Sequence, residues 1–102
     1  MQSQLVLKFR RPALDATGVA GLERQLRDTL GESVEMDGHN DGLRDIDVFI
    51  ITEDPASTFR RCKPVLEQMQ VLDRVVVAHR FVGGLQFKVI WPLRWDRKFS
   101  VS

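Results

Sequence analysis

Residues 4–10, QLVLKFR, alternate: Leu5, Leu7 and Phe9 fall on one side, Gln4, Lys8 and Arg10 on the other. A period of two predicts a strand with one buried face. The polar stretch RPALDATG, residues 11–18, reads as a turn. After it Val19, Leu22, Leu26 and Leu30 recur at helical spacing, so a helix is expected to about Leu30. Asp15 or Thr17 can cap its start, and Gly31 suits its end. SVEM, residues 33–36, predicts a short strand. RDIDVFIIT, residues 44–52, is rich in β-branched residues and predicts a strong one. In it Ile46, Val48 and Ile50 share a face, opposite Asp45, Asp47, Phe49 and Ile51.

Asp54-Pro55 pairs a capping side chain with a proline suited to the first helical position. The apolar stripe Phe59, Cys62, Leu66 and Met69 continues the helix that it starts. Pro64 lies inside that helix, removes one backbone hydrogen bond, and is expected to kink or cut it. RVVVAHRF (74–81) and QFKVIWP (86–92) predict two strands joined around Gly83-Gly84 as a hairpin. The tail, LRWDRKFSVS, mixes bases with aromatic residues. The predicted order is therefore β-α-β-β-α-β-β. Its first six elements match the ferredoxin-like split βαβ topology. The expectation is one α+β domain over residues 1–102, an antiparallel sheet with both helices on one face, and an extra C-terminal edge strand.

Composition narrows the function. The chain has 102 residues, 43% hydrophobic and 28% charged, which suffices for one hydrophobic core. Its one cysteine, Cys62, excludes an internal disulfide and fits a reducing compartment. The N-terminus lacks the basic and apolar regions of a signal peptide. The longest apolar runs, VFII at 48–51 and VVVA at 75–78, are too short to span a bilayer. A cytoplasmic protein with no membrane role is expected. Net charge of +1 provides no general pull toward nucleic acid. The charges are segmented, however. Residues 35–54 hold seven acids against Arg44, and residues 74–102 hold six bases against Asp96.

The acidic stretch EMDGHNDGLRDID, residues 35–47, is the first candidate site. Asp37-x-His39-x-Asp41-Gly42 resembles the start of an EF-hand loop, but position 12 would be Val48 inside a strand, where a bidentate Glu is needed. His39 with Asp37 and Asp41 could begin a nitrogen–oxygen metal site, and the other imidazole, His79, sits on a distant strand. The plain alternative is a polar hairpin turn, since Gly38, Asn40, Asp41 and Gly42 are turn residues. As an exposed loop it could still meet a partner.

A wider pattern joins these residues: Asp37-Gly38-His39, Asp47-Val48-Phe49-Ile50, Thr52-Glu53-Asp54-Pro55, Lys63-Pro64 and Ile90-Trp91-Pro92. It resembles a small uncharacterised family of bacterial α+β proteins of about this length and covers most of residues 33–92. Asn40 and Asp47 stand where the family pattern has Asp and Asn. The resemblance implies a bacterial origin and carries no assigned activity.

Cys62 falls on an apolar stripe and reads as a buried structural thiol. Asp45 and Asp47 could do acid–base work in a cleft, but a solvated face paired with Lys8, Arg10, Arg80 or Lys88 is the simpler expectation. His79 alternates with Val75, Val77 and Phe81 and is expected to be a hydrogen-bonded core histidine. RNA binding on such a sheet needs aromatic residues on its open face, and one Phe49 beside two acids disfavours it. Trp91, Trp95 and Phe99 among Arg94, Arg97 and Lys98 suit either an interface or a covering of core and edge.

The expectation is a non-catalytic module that binds a protein partner or itself as a homodimer, with Asp37, His39, Asp41, Trp95 and Arg97 as its contact residues. No cofactor is expected. The alternative is a small-ligand- or metal-binding enzyme using the Asp37/His39/Asp41 loop with Asp45 and Asp47. A regulatory amino-acid-binding domain of the same topology is a third possibility.

Overall fold

The computed structural model describes residues 1–101. Five strands and two helices follow in the order β1 (Ser3–Arg10), α1 (Ala16–Leu30), β2 (Glu35–Asp41), β3 (Asp45–Thr52), α2 (Pro55–Gln68), β4 (Val75–Phe81) and β5 (Lys88–Trp91). One antiparallel sheet holds all five strands in the spatial order β2-β3-β1-β4-β5. The fold class is α+β. β1 is central: Leu5 faces Ile50 on one side and His79 on the other, and Leu7 faces Val48 and Val77.

The alternation of β1 and β3 sets which face meets the helices. Leu5, Leu7 and Phe9 join Ile46, Val48 and Ile50, with Val75 and Val77 of β4, in one buried cluster. Leu22, Leu26 and Leu30 of α1 and Phe59, Cys62 and Leu66 of α2 complete it, so both helices lie on that face. Burying such side chains stabilises by about 1.5–3 kcal/mol each.

Helix ends follow local chemistry. Asp15 accepts a hydrogen bond from the Gly18 N–H at the start of α1. Gly31, at φ 61°, donates its N–H to the Arg27 carbonyl at the end. Asp54 accepts from the Ser57 N–H, and Pro55 opens α2. Of the two effects expected of Pro64, the cut does not occur: α2 runs through it to Gln68. Pro64 is exposed, so its ring points away from the core while Cys62, Val65 and Leu66 stay packed on it.

The largest correction concerns residues 35–47. The expected strand at 33–36 begins later and continues to Asp41, while Gly31–Ser33 form a short 3-10 turn. Asp37, His39 and Asp41 therefore belong to an edge strand. An irregularity between Met36 and His39, with Gly38 at φ 79°, absorbs the mismatch against β3. The hairpin turn itself is Gly42–Arg44, closed by the Gly42 N–H to the Asp45 carbonyl. β5 pairs with β4 at the opposite edge, after a turn in which Gly83 takes φ 83°.

Candidate functional site

The strand period puts His39 and Asp41 on one face, opposite Val48 and Ile46, yet their partners separate them, and the irregularity before His39 sets Asp37 apart. His39 lies opposite Val48, on the helix side, and its Nδ1 sits 3.2 Å from the Glu23 carboxylate of α1. Asp41 forms an ion pair with Arg11, whose Nε also donates to the Gly42 carbonyl. This ties the loop after β1 to the β2–β3 turn. Asp37 lies in the irregular part of β2 and borders a cleft of about 110 Å³ with Gln4, Ile51, Arg80 and Val82. The structure does not bring these three side chains onto a common centre. Among the described residues, no group of three His, Cys, Asp or Glu side chains is placed to hold a metal ion.

The face of the sheet away from the helices differs from expectation. Asp45 and Asp47 do pair with Lys8, at 3.6 and 3.3 Å. Asp47 is not solvated, at 0% exposure, whereas the Asp45 side chain keeps 28%. Val6 and Ala78, side by side in the β1–β4 register, are also 0% exposed. The C-terminal tail lies on this face, with Phe99 against Lys8. The Phe99 ring lies 5.1 Å from that of Phe87, and Lys8 Nζ sits 5.6 Å from the Phe99 centroid. The Arg80 guanidinium is 4.7 Å from Phe87 and also bonds Gln4 and the Gly84 carbonyl. The signal that could have revealed this burial is in the sequence. LVL at 5–7 and VVVA at 75–78 are apolar at every position, as strands buried on both faces are.

The tail also walls a second cleft, of about 270 Å³, at the end of the sheet where β1 finishes and β3 and β4 begin. Lys8, Arg10, Arg44 and Arg74 line it, with Asp45, Val76 and Trp95. The Trp95 Nε1 is buried and meets no hydrogen-bond acceptor among the described residues. The Arg97 guanidinium lies 5.8 Å from the Trp95 ring. Trp91 behaves differently. It packs 5.8 Å from Phe59, receives Lys63 at 4.8 Å, and donates its Nε1 to the Leu72 carbonyl at 3.0 Å. Beside it, residues 69–74, with Ala13, border a shallow groove of about 790 Å³.

The remaining candidates are structural. Cys62 is fully buried, and burial pushes its thiol pKa up to about 12, so it stays protonated at neutral pH. His79 lies on the helix side as expected but is only half-buried, and its imidazole makes no hydrogen bond among the described residues. Burial and then the nearby Lys88 charge lower its pKa. No described helix is long and apolar enough to cross a membrane. Comparison with protein-family models, with curated proteins and with solved structures found no match to this chain.

Proposed function

We propose that this chain is a ferredoxin-like, non-catalytic module of bacterial origin, working in the cytoplasm, that binds a protein partner or a second copy of itself. The fold name is supported by the strand order. The β1-α1-β2 connection straddles β3, and β3-α2-β4 straddles β1, which makes two interlocked split βαβ units with β5 appended.

One observation carries the binding reading. The turn after β4 presents Phe81, Val82 and Leu85 at 60%, 55% and 92% exposure. Met1, itself exposed, lies next to them, because the Val82 N–H bonds the Gln2 carbonyl. Single exposed apolar residues are ordinary, but several gathered at one end of a sheet mark a contact surface. Asp37 borders the same turn through the small cleft it shares with Val82. His39, Asp41, Trp95 and Arg97 lie elsewhere, so the turn, rather than all five expected contact residues, forms the centre of the surface. The alternative of a small-ligand- or metal-binding enzyme gains nothing from Asp37, His39 and Asp41, which have three different surroundings.

The test compares wild type with the Val82→Asp/Leu85→Asp variant by light scattering over a concentration series and by capture from a bacterial lysate. Self-association, or a captured protein, that the variant loses is the expected result. A wild type that stays monomeric and captures nothing that the variant loses overturns the proposal.

A further inference from the structure

Antiparallel pairing brings three arginines to one end of the sheet. Arg10 closes β1, Arg44 precedes β3 and Arg74 precedes β4. Arg10 faces Asp45 across the β1–β3 register, and Phe9 faces Val75 across β1–β4, so the three chain segments end together. Their guanidinium groups make no ion pair or side-chain hydrogen bond among the described residues. The acid that shares their cleft, Asp45, is already paired with Lys8.

Three arginines thus border the recess with no carboxylate of their own among the described residues, since Asp45 and Asp47 are both paired with Lys8. Like charges so placed repel one another, and an anion of more than one charge relieves the repulsion. Guanidinium groups offer planar paired donors that match phosphate oxygens. The indole of Trp95 adds an apolar wall, and its buried N–H lacks an acceptor. The space, about 270 Å³, exceeds one water many times over, and it falls just under the about 300 Å³ where pockets for drug-sized ligands begin.

We propose that the cleft between Arg10, Arg44, Arg74 and Trp95 is a binding site for a small phosphate monoester. The arginines hold the dianionic phosphate, and the Trp95 indole flanks the esterified group. The site lies at the other end of the sheet from the exposed β4–β5 turn, and it stands whether or not that turn binds a protein.

The test is a titration of the ¹⁵N-labelled full chain with phenyl phosphate, followed by the indole N–H signals of Trp91 and Trp95. Inorganic phosphate, acetate and sodium chloride at matched ionic strength, and a short oligothymidylate, are run alongside. Phenyl phosphate is expected to shift the Trp95 signal saturably and leave Trp91 nearly still. Arg10→Gln and Arg74→Gln should each weaken binding about tenfold, the loss of one charge-assisted hydrogen bond. Arg60→Gln, an exposed change on α2, should leave it unchanged. The proposal is overturned if no saturable shift occurs, if acetate or chloride shifts Trp95 equally, or if the cleft variants bind as tightly as wild type. Saturation by the oligothymidylate alone also overturns it, in favour of a nucleic-acid surface.

Discussion

Replacing Phe99 with Ala tests whether the tail is an integral layer of the fold. The ring is half-buried against Phe87 and under Lys8. Removing a fully buried Phe costs about 3–5 kcal/mol, so half burial suggests a loss of about 2 kcal/mol. Two parts of that loss have independent magnitudes. The tilted aromatic pair accounts for about 0.5–1.5 kcal/mol, and the Lys8 contact for about 0.5–1 kcal/mol. Urea unfolding followed by circular dichroism measures the difference in the midpoint at constant slope. Phe81→Ala provides the comparison: its ring is 60% exposed, and surface changes of that kind stay within about 0.5 kcal/mol. If Phe99→Ala costs no more than Phe81→Ala, the tail does not hold the outer face.

Other perturbations test other parts of the fold. The Cys62 thiol, ordinarily titrating at 9.0, is pushed up to about 12 in the fold, so the unfolded chain loses its proton first. Stability from this group is complete below pH 9 and falls by about 1.4 kcal/mol per pH unit between 9 and 12. Alkaline unfolding of wild type against Cys62→Ala should show that extra slope in wild type alone. His79 is shifted the other way, below 6.5, so its contribution is complete above pH 6.5 and is lost as acid protonates the unfolded chain first. His79→Gln should flatten the acid limb of stability against pH, and an unchanged limb would refute the assignment. Lys8→Met removes the cation beside the fully buried Asp47. Breaking a buried pair costs about 3–5 kcal/mol, reduced here to about 2 kcal/mol by the partial exposure of Lys8. A loss under about 0.5 kcal/mol in thermal or urea unfolding would show the pair to be solvated.

Much of the molecule is determined over short distances in the chain. The alternation of Leu5, Leu7 and Phe9 and the helical spacing of Leu22, Leu26 and Leu30 name their elements and their buried faces. Asp15 and Asp54 mark the helix starts, because a capping carboxylate bonds an N–H only a few residues away. Other features were decided by partners far along the chain. Asp37 to Asp41 are turn-forming residues, yet the exposed hydrogen-bonding groups of β3 recruit them into an edge strand. Pro64 stays in α2 because the packing of Phe59, Cys62 and Leu66 outweighs one missing hydrogen bond. The strand order, the packing of Phe99 on Phe87 and Lys8, and the meeting of Arg10, Arg44 and Arg74 have the same origin. Each joins segments separated by tens of residues, and the free energy that selects them comes from burial and pairing that exist only once the whole sheet has formed.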